Sequence, residues 1–350
     1  MNPFRRVLLW AVVRLGGIRV IRFIANVFEL KKTANGNLGF PFIKRRRSTS
    51  AQILVYHRVN DENDPIFPGV PIRAFAKQME YVAEHYTVCS LSETVERIRS
   101  DDVPAELLTI TFDDGYRDNY ENAFPILSRL SLPATVFLAT GAIDSGRMLW
   151  HDRVFSALRG TQAKALEKFF NNEQTFSLNT PGEKRLALME VLKFLWSLDD
   201  RDRSLWVERL INNLRIDESV TCDGLMLGWD DIRAMSKHRV SFGAHTVTHP
   251  ILSKLPPCQL QREIRESKET IESNLNMPVK HFAYPVGRRE DFTEDVKNEL
   301  REAGFECAVT TIFGANDSKQ DLFELRRATP WDHDIDAFAL RLSCFKFASC

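Results

Sequence analysis

Short apolar runs alternate with amphipathic stretches through most of this chain. The runs at 52–57, 87–90, 107–112, 134–141, 240–244, 281–287 and 307–311 are β-rich and end in polar residues, glycine or proline, which predicts strands. Stretches 73–86, 93–99, 118–130, 257–275 and 293–303 read as helices; in the first, Phe75, Met79 and Val82 share one side. Residues 322–328 are read as a last strand and 335–344 as a closing helix. Such alternation predicts a parallel α/β sheet wound with helices. The stretch 145–228 breaks the rhythm: it is rich in helix formers, carries Trp150, Trp196 and Trp206, and shows no convincing strand. It reads as a helical insertion, either a lid or groove wall or a structural annex. The annex is the simpler reading, since the aromatics fit helix-face spacing. Trp150-His151-Asp152 is the part expected nearest the site.

Composition changes this picture mainly at the N-terminus. A hydrophobic share of 44% and a charged share of 27% in 350 residues are ordinary for a globular chain with a full core. The formal net charge is zero, yet residues 1–50 hold eleven Lys or Arg and one acid, Glu29. No apolar run there approaches the roughly 20 residues of a membrane span, and Arg14, Arg19 and Arg22 interrupt any signal-peptide core. From Ile18 to Leu30 the polar residues Arg19, Arg22, Asn26 and Glu29 fall on one helical face. Followed by Lys44-Arg45-Arg46-Arg47, this suits an anionic membrane surface; a helix packed on the rest of the chain is the other reading. No nucleic-acid motif accompanies the basic cluster, so no nucleic-acid partner is expected. The expected organisation is a basic segment and linker at 1–50 and one catalytic unit at 51–350, in a cytoplasmic chain with peripheral membrane contact. The six cysteines show no metal-finger spacing and read as scattered thiols in a reducing compartment.

The chemistry sits where two predicted strands end. Thr111-Phe112-Asp113-Asp114-Gly115-Tyr116 closes one, and His245-Thr246-Val247-Thr248-His249-Pro250 follows the other. Singly, an Asp pair before glycine reads as a turn and HxxxH as surface or core. Two further polar-aromatic strands lie nearby, one ending at Tyr56-His57 and the other being His281-Phe282-Ala283-Tyr284-Pro285-Val286-Gly287. Together these predict two imidazoles and two carboxylates in one crevice. Two His and one carboxylate, with a position left for water, make a zinc-type catalytic site. The other histidines, His85, His151, His238, His281 and His333, read as ordinary surface or core residues.

TFDDGY, HTVTHP and FAYPVG resemble the motifs of the polysaccharide deacetylases, the NodB-homology or carbohydrate esterase family 4 group, over roughly residues 51–345. The resemblance implies a distorted (β/α) barrel and metal-dependent removal of acetyl groups from N-acetylated glycans. It implies Asp113 as general base and Asp114, His245 and His249 as ligands of one divalent ion, zinc first and cobalt or nickel as alternatives. LVYHRV resembles a subgroup with permuted motif order, which makes His57 the general acid. The arginine that orients the base in many members is matched here by Ala283; Arg326 or Arg327 on the late strand is the candidate replacement. The Val286 N–H, between Pro285 and Gly287, is the candidate oxyanion donor. Hydrolysis of another C–N bond in a small molecule, and a non-catalytic glycan-binding relative, are the alternatives. The second would be expected to have lost the base or a ligand.

Overall fold

The computed structural model describes residues 50–345 except 105, 168, 171–174, 217–223 and 331. The expected basic amphipathic segment, its membrane contact, and Cys222 and Cys350 lie outside the described residues. Strands β1 (Gln52–Tyr56), β2 (Thr87–Val88), β3 (Leu107–Phe112) and β4 (Ala134–Leu138) alternate with helices α1 (Ile72–His85), α2 (Leu91–Arg99) and α3 (Phe124–Arg129). The helix expected over 118–130 is split: a π-helical turn, Asn119–Ala123, precedes α3, whose second residue is Pro125. After α4 (Trp150–Gly160), β5 (Ala165–Glu167), β6 (Thr175–Ser177), α5 (Pro181–Ser197) and α6 (Asp200–Asn213), the alternation resumes. It runs through α7 (Trp229–Ser236), β7 (Val240–Ala244), α8 (Pro257–Leu275), β8 (His281–Ala283), α9 (Glu294–Glu302), β9 (Cys307–Phe313), β10 (Leu325–Arg327) and α10 (Ile335–Phe345).

The main sheet runs β1-β3-β4-β7-β8-β9-β10, all parallel, with β2 against the start of β3. Its ends meet: Val55 N donates to Ala328 O at 3.0 Å and Ala328 N to Ile53 O at 2.8 Å. The result is a distorted (β/α) barrel. Strand pleating sorts the side chains. Leu54, Leu108, Ile110, Phe112, Val136 and Phe282 pack outward with α1, α7, α8 and α9. Ile53, Leu107, Phe137, Ala283, Cys307, Val309 and Leu325 pack inward, where α2 meets them through Leu91, Val95 and Ile98.

The stretch 145–228 has its own apolar cluster, which includes Val154, Leu158, Val191, Leu195, Val207 and Leu210. The expectation of no strand there is corrected by the antiparallel hairpin β5–β6, in which Leu166 pairs with Phe176. Three residues per strand is too short for periodicity to register.

His281 opens β8 and is buried, its Nε2 3.2 Å from Ser92 Oγ. Burial pushes its pKa down from 6.5 to about 4. Unfolded chains therefore take up a proton near pH 6.5 that the folded chain refuses until about pH 4. The stability this imidazole contributes is present above the unfolded value and is lost as pH falls towards the folded one. Urea titrations across this window should show the loss, and His281→Gln should remove a share on the order of 3 kcal/mol.

Candidate functional site

The inward register that carries Ile53, Leu107 and Leu325 carries on, at the carboxyl ends of the same strands, to His57, Asp113 and Arg327; His245 follows β7 directly. Asp113 N donates to Tyr56 O at 3.0 Å, which ties the two loops together. Asn119 Nδ2 donates to the His57 carbonyl at 2.8 Å, and Asp118 accepts from Asn60 Nδ2 at 2.8 Å and Arg58 Nε at 2.5 Å. His57, Asp113, Asp114, His245, His249 and Val286 all line one cleft of about 310 Å³.

Asp114, His245 and His249 converge. Their ligand atoms lie within 4.8 Å of one another, and all three residues are buried. His245 Nδ1 donates to the Ala283 carbonyl at 2.7 Å, which leaves Nε2 to face Asp114 Oδ1 at 3.3 Å. His249 Nε2 faces the same oxygen at 3.3 Å. Asp114 Oδ1 and His249 Nδ1 have no hydrogen-bond partner. Electron-rich atoms brought this close need a proton or a cation between them. The donor set of two imidazole nitrogens and a carboxylate oxygen fits a divalent transition ion. Burial opposes charge at Asp114, but the imidazoles of His245 and His249 outweigh it and hold its pKa well below the usual carboxylate value. At His249 burial wins and lowers the imidazole to about 3. Glu263 on α8, which sequence reading did not single out, braces the loop between the histidines, accepting from Val247 N at 2.8 Å and Thr248 N at 2.9 Å.

Arg327 answers the question left by Ala283. Its Nη1 donates to Asp113 Oδ1 at 2.8 Å and its Nη2 to Oδ2 at 2.6 Å. Nε donates to the Thr310 carbonyl at 2.7 Å. Arg326 instead packs its side chain over Gly314. Burial raises the Asp113 pKa, yet Arg327 overrides it and keeps the carboxyl below its ordinary value. The late strand supplies from the far edge of the barrel the cation that FAYPVG lacks.

Val286 adopts φ +61°, a rare conformation for a β-branched residue. Thr311 holds it there: Thr311 Oγ1 donates to Val286 O at 2.7 Å and Thr311 N to Gly287 O at 2.9 Å. Asp114 and His249 also have positive φ, at +73° and +61°. Strained backbone held by its surroundings concentrates where side chains must converge.

The stretch 145–228 is more than an annex. Trp150, His151, Phe155, Leu192 and Trp196 wall the cleft, and Trp196 stacks under Arg288 at 4.6 Å. His151, read as an ordinary surface or core residue in the part expected nearest the site, is buried, with Nε2 3.8 Å from Asp114 Oδ2. Only tertiary packing brings it there. Burial lowers its pKa to about 4, and burial with the nearby Asp114 charge raises Asp152 to about 7. His85, His238 and His333 are exposed.

The family model for polysaccharide deacetylase matches residues 100–308. The chain belongs to the polysaccharide deacetylase family. It is accordingly a hydrolase of carbon–nitrogen bonds, and the barrel and motif resemblance are borne out. It is 23% identical over 288 residues to YxkH of Bacillus subtilis (strain 168), a provisionally named polysaccharide deacetylase, covering 82% of this chain and 73% of that protein. It is 30% identical over 161 residues to the poly-beta-1,6-N-acetyl-D-glucosamine N-deacetylase of Staphylococcus epidermidis, covering 41% of this chain and 53% of that one. In fold it is similar to the Streptococcus pyogenes deacetylase PplD, solved with acetate, at TM-score 0.55 and 19% identity over 81% of this chain and 92% of that one. IcaB of Ammonifex degensii superimposes at TM-score 0.53 and 17% identity, covering 85% and 97%. Among the described residues no helix is long and apolar enough to cross a membrane.

The Asp113–Arg327 pair is almost wholly buried, with only an edge of Asp113 reaching the cleft, so removing one partner strands the other. Arg327→Met should destabilise the fold by roughly 3–5 kcal/mol in urea denaturation. The double variant Arg327→Met, Asp113→Asn should lose clearly less than the sum of the two single changes.

Proposed function

We propose that this chain is a metal-dependent N-deacetylase of an acetylated amino-sugar glycan. The observation that carries the reading is the convergence of two imidazoles on one oxygen of Asp114, beside a carboxylate, Asp113, kept charged by Arg327. The Staphylococcus relative, named for poly-N-acetylglucosamine, points to the same substrate class.

Asp114, His245 and His249 would hold the ion, zinc or a similar transition metal. When bound, it supplies Lewis acidity, which lowers the pKa of water to about 7 and polarises the acetyl carbonyl. Asp113 takes a proton from the attacking water, and Arg327 keeps that carboxylate ionised and fixed in direction. The Val286 N–H donates to the carbonyl oxygen as negative charge develops there. His57, in the same cleft, gives a proton to the sugar nitrogen as the C–N bond breaks, leaving acetate and a free amine. Trp150, Phe155, Leu192 and Trp196 keep bulk water out, and the three aromatic rings among them offer flat apolar faces to a sugar ring. The basic, half-apolar segment at 1–50 would bring the site to an anionic membrane, which suits a lipid-linked glycan.

Purified protein should carry about one divalent ion per chain, and the His245→Ala, His249→Ala double variant should carry none; full occupancy there would sink the assignment. Asp113→Asn and His57→Ala should each keep the ion yet release acetate from N-acetylglucosamine oligomers roughly 10²–10⁴-fold more slowly. Chelator should abolish release by the unaltered chain. Co-sedimentation with anionic vesicles should be lost in a chain that starts at Ser48, and equal binding by both would assign the basic segment to another task.

A further inference from the structure

The first turn of α4 touches the candidate metal centre at three points. Trp150 Nε1 donates to the His249 carbonyl at 2.9 Å. His151 Nε2 lies 3.2 Å from Tyr116 Oη and 3.8 Å from Asp114 Oδ2. Asp152 Oδ1 accepts from Tyr116 Oη at 2.8 Å. Tyr116 belongs to the same loop as Asp113 and Asp114, and all these side chains except that of Trp150 are buried.

The hydrogen bonds fix where the protons are. With Asp152 ionised, the Tyr116 hydroxyl spends its one proton on that carboxylate, so towards His151 it can only accept. The His151 nitrogen that faces it must then carry hydrogen. That N–H goes to Tyr116 Oη, and the same nitrogen stands 3.8 Å from Asp114 Oδ2. The Asp114 carboxylate is thus divided: Oδ1 faces the His245 and His249 nitrogens, and Oδ2 lies 3.8 Å from the His151 nitrogen of α4. A carboxylate held this way presents one oxygen to a cation in a set direction.

We propose that Trp150-His151-Asp152 orients the metal ligands, with His151 as the positioning residue for Asp114. This rests on the metal reading of the site given above. It gives the stretch 145–228 a second task besides walling the cleft: it carries a layer of partners that the barrel strands do not supply. Trp150 fixes the backbone of His249, a residue at φ +61° that needs an outside restraint. Tyr116 and Asp152 hold the His151 ring in place beside Asp114.

The test is zinc affinity of the metal-stripped full chain, measured by competition with a chromophoric chelator, together with the visible absorption of the cobalt-loaded forms. His151→Phe fills the same space without a donor and should bind zinc about 10–100-fold more weakly, with an altered cobalt spectrum. His151→Gln keeps an N–H donor and should recover most of the lost affinity. The metal-free variants should melt where the unaltered metal-free chain does. Equal zinc affinity in His151→Phe and the unaltered chain overturns the proposal. Equal weakness of the Phe and Gln variants also overturns it, since shape rather than donation would then matter. If the unaltered chain binds no better than the His245→Ala, His249→Ala variant, the metal reading itself falls, which is a distinct result.

Discussion

A carboxylate buried in a protein interior keeps its charge only if a cation is delivered to it, and here the delivery organises the barrel. Asp113 follows β3 and Arg327 ends β10, and no other described cation donates to that carboxylate. The guanidinium reaches it because β10 closes against β1 through Val55, Ile53 and Ala328. Slippage of β10 by one residue would turn Arg327 outward and bring Arg326 or Ala328 inward, and the pair would vanish. Ring closure and the charge state of Asp113 are therefore one requirement. Thr310 and Thr111 add further hydrogen bonds to the same guanidinium, which fixes its plane as well as its position.

Much of this was visible in the amino-acid sequence because it depends on local rules. Strands that are buried on both faces read as continuous apolar runs, so β1, β3, β4, β7 and β9 stand out, and their ends mark the chemistry. Asp113, Asp114, His245 and His249 could be singled out because each pair is adjacent or nearly so along the chain. What escaped depends on long-range packing. The choice between Arg326 and Arg327 is one of parity within a three-residue strand. Trp150-His151-Asp152 is expected near the site, but neither His151 nor Glu263 carries a local mark of its partner, which each acquires only when helices from distant stretches dock. The hairpin β5–β6 is too short for alternation to be seen.

The site also shows how the conformational cost is distributed. Asp114, Thr246, His249 and Val286 all have positive φ. Aspartate and histidine tolerate this region better than valine does. Three of them are held by hydrogen bonds: Thr246 Oγ1 accepts from His249 N at 3.0 Å within their loop, Glu263 grips that loop from α8, and Thr311 grips Val286. Rigid helices and strands thus support short irregular loops, where groups from different strands can approach one point.

The sequence separation of 214 between Asp113 and Arg327 has a consequence for synthesis. At about 5–20 residues per second, the ribosome releases the aspartate roughly 10–40 s before its arginine. During that interval β3 can pair with β1 and β4, but the carboxylate has no counter-ion and resists dehydration. Burial of this charged carboxylate with its counter-ion therefore waits on the emergence of β10.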